Sequence, residues 1–155
     1  SPEAALDLPP PDTALNPSDW TMRGLTPYQD LPENGLAKLI LPAGIQGPKF
    51  MVLENYTVLL AYNPAQAYAL SVCALGDAIA GGLGLVQPWP IGEAALSRNE
   101  KRNVQIALSA LGYDTFGADG LVGPNTAAAL WRYQRDQGYV ADAYLSRALW
   151  AELAG

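Results

Sequence analysis

Asp119-Gly120-Leu121-Val122-Gly123-Pro124 lies between two stretches with helical spacing, and its reading decides the fold of the last third of the chain. Asp-Gly marks a turn, and Gly-Pro marks the entry to a helix because proline fits the first helical position. Working outward, Ser97-Arg98-Asn99-Glu100 is a capping box that opens a helix with the apolar stripe Val104, Ala107, Leu108 and Leu111, closed by Gly112. After Pro124, Ala127, Leu130 and Trp131 share one face of a second helix that Gly138 stops. Leu145, Leu149 and Leu153 recur every four residues on a third helix, and three short amphipathic helices make a compact bundle. A faint repeat is visible: Ala118-Asp119 and Leu130 return as Ala141-Asp142 and Leu153 with the same internal spacing.

Upstream the pattern changes. Residues 1–18 are rich in proline (Pro9-Pro10-Pro11, Asn16-Pro17) and read as an irregular lead-in, after which Ser18-Asp19-Trp20 caps a short helix ending near Gly24. Ala37–Leu41, Phe50–Leu53 and Tyr56–Leu60 are strand-like runs separated by turn residues, which predicts an antiparallel meander. Pro64 to Ile79 is a helix that is apolar nearly all round, so it is either buried in protein or spans a membrane. Asp77 and the following Gly81-Gly82 count against spanning. Gln87-Pro88-Trp89-Pro90 reads as a linker. The expected fold class is α+β: small antiparallel strands plus a buried helix, followed by a three-helix bundle.

Composition removes several function classes. The 155 residues carry nine Lys+Arg against fifteen Asp+Glu, a net charge of −6. A nucleic-acid partner is therefore not expected, because such binding needs a cationic face. There is no histidine, which takes away the commonest zinc ligand and the usual base of Ser and Cys nucleophiles; neither a metal nor a cofactor is expected. Cys73 is the single cysteine, sits among apolar neighbours and reads as an inert buried thiol.

Residues 98–155 resemble the helical peptidoglycan-binding domain found at the ends of many wall hydrolases. The matching residues are Val104-Gln105, Leu108, Leu111-Gly112-Tyr113, Asp119-Gly120-x-Val122-Gly123-Pro124-x-Thr126, Ala129, Tyr133-Gln134 and Gly138-Tyr139. Asp142-Ala143 stands where the family often has a second Asp-Gly, which bears on the tightness of the second turn and not on the fold. Most of these residues have structural explanations. The candidate glycan or stem-peptide contacts are Tyr113, Asp119, Asn125 and Arg132.

Residues ~20–85 are similar to the carboxy-terminal part of the lytic murein transglycosylase B type. The carrying string is Leu41-Pro42-Ala43-Gly44-x-x-Gly47-Pro48-x-Phe50, Asn55-Tyr56-x-Val58, Tyr62-Asn63, Tyr68-Ala69-Leu70-x-Val72 and Leu75-Gly76-Asp77-x-Ile79. The resemblance implies a lysozyme-like core, residues 1–85 being its end, a linker at 86–97 and a binding domain at 98–155. It also implies cleavage of the MurNAc-GlcNAc β-1,4 bond without water, one glutamic acid acting first as acid and then as base while a 1,6-anhydro ring closes. None of Glu3, Glu33, Glu54, Glu93, Glu100 and Glu152 matches the context of that glutamate. No catalytic residue is therefore expected here. The chain alone is expected to be an inactive fragment that lacks the amino-terminal part of the catalytic domain, and a non-catalytic wall anchor is the alternative.

By the same resemblance Tyr62, Asn63 and Tyr68 line one wall of the groove, an aromatic face stacking on a sugar while an amide reads an N-acetyl or hydroxyl group. The plain alternative is two core tyrosines and a turn or cap asparagine. Peptidoglycan glycan strands or stem peptides are the implied partners, and the periplasm or cell envelope the implied location.

Overall fold

The computed structural model describes residues 6–25, 31–53, 56 and 91–155. The first helix, α1, runs Pro17–Met22. Its end near Gly24 is as expected, but its cap is Asn16 and not Ser18: the Asn16 side chain accepts from Asp19 N at 2.9 Å, which lets Pro17 occupy the first position. Trp20 anchors the helix. Its ring is 1% exposed and its indole N–H donates to Ala37 O at 2.9 Å, so burial leaves no polar atom unpaired.

The sheet is an antiparallel meander, as expected, but one of its strands is not an expected one. Its strands are β1 (Ala14–Leu15), β2 (Ala37–Ile40) and β3 (Phe50–Val52), antiparallel in the order β1-β2-β3. Two of the expected runs are present, with Leu39 opposite Met51 and Ile40 opposite Phe50. The remaining strand comes from the lead-in expected to be irregular, where Leu15 pairs with Ala37 and Ala14 with Lys38. Two residues are too few to show a period of two, so only pairing defines this strand. Tyr56, from the third expected run, is helical and buried, while residues 57–60 and the helix expected at 64–79 lie outside the described residues. Cys73 and the linker at 87–90 also lie outside them. Leu8, Trp20, Leu25 and Ala37 form the core of this half, with Leu39, Ile45 and Met51 packed against it.

The second half is the expected three-helix bundle: α2 (Arg98–Ala110), α3 (Pro124–Asp136) and α4 (Arg147–Ala154). The capping box of α2 forms in both directions, Ser97 Oγ accepting from Glu100 N and Glu100 Oε2 accepting from Ser97 N. Val104, Leu108, Ala129, Leu130, Tyr133, Leu145 and Leu149 make the core. Fully burying Leu108 and Leu130 contributes about 1.5–3 kcal/mol each.

Three stripe residues behave differently from expectation. Leu111 follows α2 and is exposed. Leu145 precedes α4, which Ser146 caps. Trp131 turns out of the bundle, where its indole N–H reaches Leu8 O at 3.1 Å in the first half and Arg135 stacks over its ring. α2 and α3 end alike. The amide of Tyr113 reaches back to Leu108 O and that of Gly112 to Ser109 O; the amides of Tyr139 and Gly138 do the same to Gln134 O and Arg135 O.

The repeat is structural. Gln105 on α2 accepts from Gly120 N (2.8 Å) and donates to Asp119 Oδ1 (3.2 Å), while Asp119 Oδ1 also accepts from Leu121 N (2.9 Å). Gln134 on α3 accepts from Ala143 N (2.8 Å) and donates to Asp142 Oδ1 (2.8 Å), while Asp142 Oδ1 accepts from Tyr144 N (3.0 Å). Each clamped turn feeds the next helix. The second turn is as tight as the first despite its alanine, because Ala143 adopts φ +57° where Gly120 has +78°.

That alanine is strained, since a left-handed conformation costs an L-residue roughly 1–2 kcal/mol. Ala143→Gly is expected to raise stability by up to about 1 kcal/mol. A Cβ at Gly120 would lie 2.4 Å from Arg98 O, so Gly120→Ala should lower stability by about 2–4 kcal/mol. Denaturant unfolding of the two variants checks both signs.

Candidate functional site

The four candidates in the bundle fall into two patches set by α3. Arg132 lies near the Tyr113 turn, its Nη2 3.4 Å from Asp114 O. Tyr113 packs edge-on against Tyr133, with centroids 5.5 Å apart, and its hydroxyl donates to Asp136 Oδ2 at 2.8 Å. Asp119 and Asn125 are exposed at the other end of α3, Asn125 in its first turn. A rise of 1.5 Å per residue puts Asn125 and Arg132 about 10 Å apart along the axis. Tyr62, Asn63 and Tyr68 lie outside the described residues.

The Tyr113 patch continues into groups that sequence reasoning missed. Tyr133 OH donates to Glu152 Oε1 at 2.5 Å, and Tyr139 OH donates to Glu152 Oε2 at 3.1 Å. One carboxylate thus holds two phenols, joining α3, the turn after it and α4. Its signal in the sequence was only the Tyr-Gln and Gly-Tyr pairs, whose partner Glu152 is distant along the chain. The carboxylate of Glu152, then burial, pushes the Tyr133 phenol up to about 12. Glu152 and Asp136 likewise raise Tyr139 and Tyr113.

At the other patch, the Leu121 amide and then the Gln105 side chain hold the Asp119 carboxyl below its ordinary range. Both use Oδ1. Among the described residues no other residue donates to Oδ2, and Asp119 lies on an exposed loop beside the exposed Leu121 and Val122.

The described glutamates have other partners or none near a groove. Glu100 caps α2 and pairs with Arg147 at 3.2 Å, its carboxyl lowered chiefly by the Ser97 amide. Glu33 and Glu93 are exposed. Among the described residues no group of three Cys, Asp or Glu side chains could hold a metal ion, and no helix is long and apolar enough to cross a membrane.

The halves touch through the second clamped turn. Asp142 Oδ2 accepts from Ile45 N at 2.9 Å, and Gly44 lies flat against it: an L-side chain there would place Cβ 2.8 Å from both Asp142 Oδ2 and Tyr144 Cδ1. Gly44 also has φ +69°. The Leu41–Gly47 turn of the first half is thus seated on a loop of the bundle.

Comparison with known proteins gives the class. Residues 3–77 match the transglycosylase SLT domain and residues 97–153 the peptidoglycan binding domain. Residues 3–77 are thus a transglycosylase SLT segment of lysozyme-like fold, and residues 97–153 a peptidoglycan-binding domain, in that order. Both domain types belong with the cell wall, and the chain's function is peptidoglycan-related.

Among solved structures, SltB3 from Pseudomonas aeruginosa in complex with NAG-anhNAM-pentapeptide is 35% identical, with a TM-score of 0.83 over 97% of this chain and 42% of that one. SltB3 in complex with NAG-NAM-pentapeptide gives 35% identity and a TM-score of 0.80 over 97% and 41%. The chain thus spans less than half the length of the solved relatives it matches. No curated protein matches.

The Tyr133–Glu152 bond predicts a pH effect. The folded protein keeps on Tyr133, up to about pH 12, a proton that the unfolded chain releases near pH 10. This stabilisation is fully present below pH ~10 and is lost as pH rises through ~12. Glu152→Gln should be less stable than the parent at pH 9, and the gap should shrink toward pH 12. Unfolding curves across that range test it, and a constant gap would refute the assignment.

Proposed function

We propose that the chain binds peptidoglycan through its helical domain and supplies one wall of a lytic transglycosylase cleft. In the whole protein the reaction is non-hydrolytic cleavage of the MurNAc-GlcNAc β-1,4 bond with closure of a 1,6-anhydro ring. The observation that carries this reading is the order of the two matched domains, reproduced over 97% of this chain in a solved relative bound to NAG-anhNAM-pentapeptide. The division of labour follows the boundaries 1–85, 86–97 and 98–155, and the setting is the periplasm or cell envelope.

In this reading Tyr62, Asn63 and Tyr68 line the sugar groove, while Tyr113, Asp119, Asn125 and Arg132 contact glycan or stem peptide. The proton donor comes from the part of such a protein that these 155 residues do not span. A raised carboxyl pKa in an apolar groove is what the chemistry needs. The described glutamates lack that setting, being exposed or, for Glu100, held low by its cap. Binding does not depend on long-range attraction, because chain and wall are both anionic. It rests on aromatic faces and hydrogen bonds.

Incubation with purified sacculi tests both parts. The chain should sediment with them and release no anhydro-muropeptides detectable by mass spectrometry. Anhydro products would show that the acid/base is present in these residues. Failure to sediment would remove the binding role and with it the wall-anchor alternative.

A further inference from the structure

The two clamped turns are copies of one device, and among the described residues only one copy is occupied. In the second, Asp142 uses Oδ1 for its own turn and turns Oδ2 outward, where it accepts the Ile45 amide at 2.9 Å. In the first, Asp119 uses Oδ1 in the same way; it is exposed, no other described residue donates to Oδ2, and Arg98, whose Nε donates to Asp119 O at 2.8 Å, is the cation beside it. Leu121, 59% exposed, stands where Tyr144 packs over the bound segment in the second copy. From this asymmetry we infer that the Asp119–Val122 turn is a peptide-binding site that accepts a backbone amide on Asp119 Oδ2, as the Asp142 turn accepts Ile45.

The internal occupant specifies the ligand. The residue before the donated amide is Gly44, with φ +69° and no room for an L-side chain against the carboxylate and the ring. Glycine meets that requirement, and so does a D-residue, for which positive φ is the ordinary conformation by mirror symmetry. The ligand is therefore a short peptide with a D-residue or glycine followed by a free N–H, its small side chains lying over Leu121 and Val122. A terminal carboxylate is disfavoured beside Asp119, so the recognised amide is internal. Stem peptides carrying D-amino acids have this chemistry, and the site deepens the wall-binding reading on which it rests.

The test uses the full 155-residue chain labelled with 15N. Titration with N-acetylmuramyl-pentapeptide containing D-residues should give saturable shifts at Gly120, Leu121, Val122 and the Gln105 side chain. An all-L peptide of the same composition should bind at least about tenfold more weakly, and the disaccharide without peptide should leave these signals in place. Asp119→Asn can keep its Oδ1 bonds while replacing the outward acceptor with an NH2 group, and it should weaken the pentapeptide about tenfold, the scale of one charge-assisted hydrogen bond.

Leu121→Ala, at an exposed position, is the second variant and should weaken binding if Asp119→Asn disturbs the turn. Equal binding of both stereochemical forms, shifts centred elsewhere, or no saturable shifts would overturn the inference. So would two variants that both bind as the parent does. Sedimentation with sacculi, run in parallel, separates the two readings: a chain that sediments without these shifts loses only this site.

Discussion

The buried amide of Gln105 holds the wall-binding domain together. At 2% exposure it accepts from Gly120 N, and the two hydrogens of its amide nitrogen are shared among Asp119 Oδ1, Leu121 O and Thr126 Oγ1. Replacing it by an apolar residue would strand a buried N–H, a carbonyl and a hydroxyl, each costing about 1–3 kcal/mol unless water entered. One side chain therefore sets the path of the loop and the start of α3 together. Gly120 is part of the same constraint, because only a residue without Cβ lets the loop pass over Arg98 O.

Gln134 repeats the arrangement around Asp142, with weaker support. Its third contact, to Tyr144 O, is 3.5 Å, and its turn residue is an alanine at positive φ. What the second turn lacks in internal bonding it gains from outside: the Ile45 amide completes the Asp142 carboxylate, and the ring of Tyr144 closes over Gly44. The strain at Ala143 and the docking of the first half are thus parts of one local balance.

The sequence made the bundle legible because its signals are local. A capping box, a Gly-Pro entry and leucines at helical spacing each act within a few residues, and all three helices follow. The strand at Ala14–Leu15 was not legible, since its only definition is pairing with Ala37 and Lys38 more than twenty residues away. Trp131 misled for a related reason. Its spacing fits the core face, but its N–H needs an acceptor, and the Leu8 carbonyl is found only across the chain. In the candidate site, Asp119 and Tyr113 were readable from motif, whereas Glu152, which holds two tyrosines, and the link from Asp142 to Ile45 required three-dimensional proximity.

The contact between the halves also constrains how the bundle sits against the first half. Two of its groups, the Trp131 indole and the Asp142 carboxylate, are spent on backbone atoms of the first half, Leu8 O and Ile45 N. Backbone partners impose position without depending on side-chain identity at 8 or 45, so the arrangement relies on the path of the chain there and on the absence of a Cβ at residue 44. The face of α3 and its following turn that carries these groups is the one turned toward the first half. Among the described residues, neither the Asp119 loop at the start of α3 nor the tyrosine patch near its end shares a hydrogen bond with the first half, so the contact leaves both arrangements to the bundle's own bonding.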